Sequence, residues 1–423
     1  MKLWQPFTQH AVTPPPPVVA RAEGAYLYLA DGRQLFDGIS SWWVTTHGHS
    51  HPVIRAAIVA QSEKLSQTIF ANFTHDAANE FADALSRIID PKFARVFLSD
   101  SGSTAVEVAI NMVVGTWFHR GQPQRHKIIA FENAYHGDTV GAASVGARSV
   151  FTRHGEPLLF EVLRVPSPAF AGAGSAEDAA RCLEVLAQTL RTHENEIAAV
   201  MIEPLVQGAG GMKMYAPEIL DEITRTAHAH DIFVVFDEVM TGFGRTGTMF
   251  AYQQCRELPD IIALAKGITG GFLPMAATLA TQEIFDAFYS TDRARQLFYS
   301  TSYTGNALAC AAAAANLRVW REENTLEKIA AINSWHQKFL PALNVQNPRI
   351  RGTIAAFEIG GDANYLAGIG AELHQFCMTR GIFIRPLGNT VYLLPPYCAT
   401  EDDLKHCYET MAEFLSQNTL LAA

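Results

Sequence analysis

The sequence predicts an α/β protein: a large domain on a mostly parallel sheet, followed by a smaller α+β domain. Three observations predict it. Between about residues 95 and 265, short apolar runs alternate with longer helical stretches, as expected of strands covered on both faces. Each run ends in a polar or glycine-bearing segment, and ligands of open α/β sheets collect outside such strand ends. After Asn306 the texture changes to an alanine-rich helix, a long amphipathic helix and scattered strand-like pieces.

Taken in order, MKLWQPFTQH carries one lysine but no apolar core and no small-residue cleavage site, so no secretory signal is expected. Pro14 to Pro17 would form about 12 Å of polyproline helix, a stiff arm leading to the body; a ligand for an SH3-like partner is the sharper alternative. The strands expected of the large sheet are Arg95 to Leu98, Lys127 to Phe131, Ala198 to Ile202, Ile232 to Phe236 and Ile261 to Leu264. After the first, Ser101-Gly102-Ser103-Thr104 leads into a helix-like run from Ala105 to Met112. Asn306 is a helix N-cap for the alanine-rich helix to about Trp320. Strand-like Thr353 to Ile359, Gly381 to Arg385 and Thr390 to Leu394 complete the smaller unit. The expected divisions are residues 1–49 as N-terminal arm and part of the small domain, 50–305 as the large domain and 306–423 as the C-terminal small domain.

Composition excludes several classes. The 423 residues carry a net charge of −10 and no basic run that could track a phosphate backbone, so no nucleic acid partner is expected. With 48% hydrophobic and 17% charged residues the chain can bury a sizeable core and is not disordered. Its longest apolar run, Ala307 to Ala315, is far short of the roughly 20 residues that span a bilayer, so no membrane is expected. The six cysteines show no C-x-x-C and no His at zinc spacing, which reads as reduced thiols in a cytoplasmic protein without a metal.

Two charges stand out at neighbouring strand ends. Asp237 follows Ile232 to Phe236, and Lys266 follows Ile261 to Leu264 between apolar segments that favour a neutral, nucleophilic amine. A structural ion pair is the bland reading. The sharper one is pyridoxal 5'-phosphate, which needs a lysine for a Schiff base and a carboxylate to keep its pyridine nitrogen protonated. Ser101-Gly102-Ser103-Thr104 would offer its phosphate the N–H groups and positive end of a helix, although capped helices with glycine are common. Tyr135 in Tyr135-His136-Gly137-Asp138 could stack on a flat cofactor.

These pieces occur together with Asp237-Glu-Val-Met-Thr-Gly-Phe-Gly-Arg-Thr-Gly247, Ile202-Glu203-Pro204 and Ala265-Lys266-Gly267. In that order and spacing the chain resembles the class III aminotransferases of the fold type I pyridoxal-phosphate superfamily, the aspartate aminotransferase-like fold, over nearly its whole length. Within that class, Ser40-Ser-Trp-Trp43, Glu203 to Met212, Ile384-Arg385-Pro386 and Tyr392 to Tyr397 resemble the branch that aminates 8-amino-7-oxononanoate in biotin biosynthesis.

The resemblance implies that Lys266 is the catalytic lysine and proton shuttle. It implies cofactor contacts from Gly102, Ser103, Tyr135, His136, Glu203, Asp237 and Lys266, with Thr301 and Ser302 reaching the phosphate of the other subunit in a homodimer. Ser302 stands in a stretch where the family has Pro-Thr. The substrate side would comprise Phe7, Trp42, Tyr135, Asp138, Arg245, Lys266, Ser300, Arg385 and Tyr392. Trp42 would be the wall of an apolar channel, and Arg385 the bidentate partner of a carboxylate. Many members carry W-x-P-Y-T near the N-terminus, whereas this chain has Phe7 in Trp4-Gln5-Pro6-Phe7-Thr8, one hydroxyl fewer. The amino donor implied is S-adenosyl-L-methionine, with lysine as the alternative. Two other readings stay open: an omega-aminotransferase for a diamine or omega-amino acid, and a catalytically inactive, cofactor-binding regulatory dimer.

Overall fold

A computed structural model describes residues 2–169, 176–360, 365–366 and 368–418. The large sheet has seven strands, numbered here in chain order: β1 (Arg95–Ser99), β2 (Lys127–Phe131), β3 (Leu163–Val165), β4 (Ile197–Ile202), β5 (Phe233–Asp237), β6 (Ile261–Leu264) and β7 (Ala276–Ala280). Their order is β1-β7-β6-β5-β4-β2-β3. All run parallel except β7, which is antiparallel to both neighbours. Strands β4 to β7 are buried along their whole length, which is why they read as unbroken apolar runs rather than as alternation.

The five expected strands are present within a residue or two. Strands β3 and β7 had no place in the expectation. Ala276–Ala280 is mostly alanine, weak in β-propensity, and β3 has three residues; neither carries a pattern of its own. The parallel strands deliver Ser99, Phe131, Ile202, Asp237 and Leu264 to one edge. The Gly102–His119 helix begins at that edge, and its buried face packs on β6 and β7.

Beside this body, Val19–Glu23, Tyr26–Leu29 and Gln34–Asp37 form an antiparallel meander whose last strand pairs in parallel with Ile382–Phe383. Only these two residues of the expected Gly381 to Arg385 strand pair; Pro386, lacking an N–H, follows close behind. A second antiparallel sheet joins Gln346–Arg351, Ile354–Glu358 and Thr390–Leu393. The helices Thr325–Phe339 and Glu401–Gln417 bury Ile329, Ile332, Leu404 and Met411 in one core with Phe357 and Val391. The alanine-rich helix is Ala307–Glu322, with Asn306 Oδ1 accepting from the Ala309 N–H at 2.9 Å. Its small side chains pack on the Pro52–Ser62 and Asp76–Ser86 helices of the large body. Pro14 to Pro17 are exposed and carry no regular structure. All six cysteines are free thiols, and among the described residues no helix is long and apolar enough to cross a membrane.

Two core histidines make the fold sensitive to acid. His47 is buried edge-on to Trp320 and Tyr397, and neither ring nitrogen has a hydrogen-bond partner among the described residues. Burial, aided by the neighbouring His51, lowers its pKa to about 3. His336 is held between the Tyr408 hydroxyl and the Thr353 carbonyl, and burial lowers its pKa to about 4. Below pH about 6.5 the unfolded chain binds protons that the folded chain refuses, so stability falls with falling pH until the folded values are reached. Each histidine contributes a slope of at most about 1.4 kcal/mol per pH unit. His47→Phe is expected to flatten the acid side of this profile while leaving stability at pH 7.5 equal or higher. Urea unfolding between pH 4.5 and 7.5 checks it, and an unaltered slope contradicts it.

Candidate active site

At the end of β5, the Asp237 carboxylate is buried. Its Oδ2 lies 2.6 Å from His136 Nδ1, and its Oδ1 accepts from the Val239 N–H at 3.0 Å. Burial works against a charge on His136, but the hydrogen bond and charge of Asp237, with Glu203 beyond, outweigh it and raise the imidazole pKa. The second ring nitrogen, Nε2, is buried without a partner among the described residues. Glu203, at the end of β4, braces the loop above β2: Oε1 accepts from the Tyr135 N–H at 3.0 Å and Oε2 from the Gly208 N–H at 2.9 Å. Burial pushes its pKa up to about 7, with His136 opposing and Asp237 adding to the shift.

Lys266 opens a tight turn, Lys266–Thr269, directly after β6, with φ of +44°. Two contacts pin the turn. Asn316 Nδ2 donates to the carbonyls of Gly267 and Ile268 at 2.9 and 3.1 Å, and Phe243 lies so close to Gly267 that a Cβ there would meet its own at 2.8 Å. The amine sits 5.1 Å from the centre of the Trp43 ring. Burial lowers its pKa, while Asp237 and then Glu203 pull the other way. The combination is an amine near a carboxylate, with part of its water removed.

The start of the Gly102–His119 helix supplies an anion cradle. Ser101 caps it, accepting from the Thr104 N–H at 3.2 Å and donating its own N–H to Thr104 Oγ1 at 2.9 Å. The N–H groups of the first turn have no partner within the helix and face the strand edge. Ser103 Oγ accepts from the Asp138 N–H at 3.2 Å. Gly137 comes so close that a Cβ would fall 2.1 Å from that hydroxyl, so the loop and the helix start meet only because this residue has no side chain.

The opposite wall is aromatic. Ser40, Ser41 and Trp43 all adopt positive φ, a conformation that stores strain in residues with a Cβ. The turn is held by Ser40 Oγ donating to the Leu394 carbonyl at 2.8 Å and Ser41 Oγ to Asp37 Oδ2 at 2.9 Å. Arg245 clamps it further, donating to the carbonyls of Trp43, Thr45 and Pro395 at 3.0 to 3.2 Å. Trp43 Nε1 donates to the Tyr392 hydroxyl at 3.0 Å. Trp42 faces outward along the cavity, with the Arg385 guanidinium 5.2 Å from its ring centre. Arg385 has no hydrogen bond or ion pair among the described residues. Phe7 closes over Trp42 at 5.5 Å and touches Phe151 at 5.8 Å; Phe151 in turn meets Tyr365 at 4.6 Å.

These elements enclose a cavity of about 570 Å³. Of the expected site residues, Phe7, Trp42, Gly102, Ser103, Tyr135, His136, Asp138, Glu203, Asp237, Lys266, Arg385 and Tyr392 line it. Arg245 does not: it is buried beneath the wall, and its two terminal guanidinium nitrogens donate to backbone carbonyls. Ser300, Thr301 and Ser302 lie outside the lining, with Ser300 and Ser302 exposed and Thr301 Oγ1 against Thr304 Oγ1 at 3.1 Å. Phe151 and Tyr365 line the cavity without having been expected, since single aromatics in irregular chain carry no periodic signal. The donor set suits a flat phosphate ester with a basic ring nitrogen: anion cradle at one end, carboxylate at the other, an amine alongside.

Three comparisons bear on this geometry. Residues 7–415 match the family model described as Aminotransferase class-III. The adenosylmethionine-8-amino-7-oxononanoate aminotransferase of Synechococcus elongatus is 44% identical over 423 residues, 98% of each chain. The solved structure of the enzyme so named from Methanocaldococcus jannaschii has a TM-score of 0.91 and 32% identity, covering 98% of this chain and 97% of its own. A pyridoxal-phosphate-bound amine transaminase from an uncultivated Pseudomonas species has a TM-score of 0.90 and 29% identity, covering 98% of each chain. The chain belongs to the class III aminotransferases.

Proposed function

We propose that this enzyme, with pyridoxal 5'-phosphate as its cofactor, transfers an amino group from S-adenosyl-L-methionine, or from lysine, to 8-amino-7-oxononanoate and yields 7,8-diaminononanoate. The observation that carries the reading is the partly desolvated Lys266 amine near the buried Asp237 carboxylate, in a cavity whose apolar wall holds Arg385 over the Trp42 ring. The names of the relatives support the substrate.

When bound, the cofactor supplies an aldehyde carbon for the amine and an electron sink for the carbon whose C–H bond breaks. Gly102 and Ser103 hold its phosphate through backbone N–H groups at the helix start. Asp237, oriented by His136, keeps the proton on the ring nitrogen. Tyr135 would pack against the ring, and Glu203 fixes the Tyr135 backbone. Lys266, its pKa lowered by burial, takes the proton from the substrate carbon and returns it. Arg385 binds the carboxylate of the keto acid bidentately, and Trp42 packs its methylene chain. Phe7 and Phe151 cover the site and keep water from the reacting carbon. The enzyme works as a homodimer in the cytoplasm, with Thr301 and Ser302 serving the phosphate of the partner's site.

The test uses the purified, yellow enzyme. It is mixed separately with S-adenosylmethionine and with lysine, and the bound cofactor's visible absorbance is followed. One donor should bleach it, and 8-amino-7-oxononanoate should restore it with release of 7,8-diaminononanoate. Failure of both donors to bleach, or of the keto acid to restore, overturns the assignment.

A further inference from the structure

Asp37 is a buried carboxylate that the chemistry above does not use. Its Oδ2 accepts from two sides: the Ser41 hydroxyl donates at 2.9 Å and His49 Nε2 at 2.9 Å. Oδ1 has no hydrogen-bond partner among the described residues. Packing alone would favour an apolar side chain here, because a fully buried carboxylate loses its hydration and is compensated at one oxygen only. What a leucine could not supply is the link between the two donors. His49 is itself a rigid post: its N–H donates to the Gly24 carbonyl at 2.7 Å, and its carbonyl accepts from the Gly24 N–H at 3.2 Å.

Asp37 stands where two segments of the cavity wall meet. Its strand pairs in parallel with Ile382–Phe383, with Asp37 opposite Phe383, and the Gly38 N–H donates to the Phe383 carbonyl at 3.0 Å. The approach is so close that a Cβ on Gly38 would fall 3.1 Å from that carbonyl oxygen and 3.2 Å from Ile384 Cγ2. Backbone contacts thus tie the Asp37 corner to the segment that carries Arg385. The carboxylate ties it to the other segment. Ser41 has φ of +60°, and Trp42 after it leaves helical geometry at φ of −131° and ψ of +56°. No regular ladder holds such a turn, and the Trp42 ring, 42% exposed against Phe7 and Arg385, cannot hold it by burial. The hydrogen bond from Ser41 to Asp37 is the side-chain tether next to Trp42.

We propose that Asp37 is a positioning residue: through Ser41 on one side and the Phe383 pairing on the other, it sets the 5.2 Å spacing of Trp42 and Arg385, and with it the fit of a long-chain keto acid. It acts through these neighbours, since it is fully buried and lies outside the cavity lining. The inference rests on the transaminase reading above, in which Arg385 takes the carboxylate and Trp42 the methylene chain. Loss of the bond between Asp37 and Ser41 slackens this wall while Lys266, Asp237 and the anion cradle stay in place. The effect then falls on binding of the keto acid and spares the chemistry of the donor half-reaction.

The test starts from Ser41→Ala, which removes one hydroxyl from a half-buried position and leaves the core untouched. It should raise KM for 8-amino-7-oxononanoate about tenfold, the scale of one lost hydrogen bond. Bleaching by a saturating donor should stay within about twofold of wild type. Asp37→Leu should raise KM at least as much, whereas Asp37→Asn, whose amide oxygen can take both donors, should leave it near wild type. A cycle with Trp42→Ala separates positioning from general stability: Ser41→Ala should add nothing to KM once the indole is gone. Acrylamide quenching of the Trp42 emission is taken as the difference from a matched Trp42→Phe variant in each background. It should rise in Ser41→Ala and Asp37→Leu and stay unchanged in Asp37→Asn. An unaltered KM in Ser41→Ala, effects that add in the cycle, or unaltered quenching in Ser41→Ala overturns the assignment. The quenching needs no substrate, so an enzyme that does not aminate 8-amino-7-oxononanoate loses the substrate reading while the hold of Asp37 on Trp42 is still decided.

Discussion

Lys266→Ala is expected to stop multiple turnover while leaving a folded protein. The backbone at this position has φ of +44°, a strain of about 1–2 kcal/mol that alanine shares with lysine, so the substitution adds none. Losing the amine also removes a cation whose burial disfavours its charge. Stability should therefore stay within about 1 kcal/mol of the parent. Activity is another matter. General acid–base catalysis alone is worth about 10² to 10⁴, and the covalent attachment adds to it, so turnover should fall at least about 10⁴-fold. Methylamine in the buffer should restore part of the rate by replacing the missing nitrogen. Steady-state assays read both, and multiple turnover without added amine would rule out the role given to Lys266.

The second large effect is at Asp237. Asn fills the same volume and can still pair with His136 Nδ1 and the Val239 N–H, so Asp237→Asn isolates the charge. A unit charge pair about 4 Å apart at an effective dielectric of about 20 is worth about 4 kcal/mol. If that interaction holds the ring proton only while the carbanion forms, the half-reaction should slow by roughly a thousandfold. Stopped-flow bleaching with a saturating donor measures it. A loss of less than tenfold would mean that Asp237 only packs.

Much of this site could be read from the chain because its groups sit where strands must end. Asp237 closes one strand and Lys266 comes just after another, both strands buried on both faces and so visible as apolar runs, and Ser101 marks a helix start by its own chemistry. Other residues were legible only as types. Arg245 stands in a glycine-rich motif, and nothing in its neighbours says that its fork will be taken by the carbonyls of Trp43, Thr45 and Pro395. Phe151 and Tyr365 are isolated aromatics whose meeting depends on distant segments folding together. Ala276–Ala280 was invisible for a different reason: alanine fits a central strand sterically without announcing it.

The joint between the chain's beginning and its end has a consequence for biogenesis. Ser40 Oγ finds its acceptor on Leu394, 354 positions later, and the Gln34–Asp37 strand pairs with Ile382–Phe383. At roughly 5 to 20 residues per second, a ribosome needs roughly 20 to 70 s to supply that partner. Throughout that interval the N-terminal meander has an open edge and the adjacent tryptophans have no cover, a state prone to pairing with other nascent chains. The turn that places Trp43 in the cavity wall is therefore among the last parts of the molecule to become native.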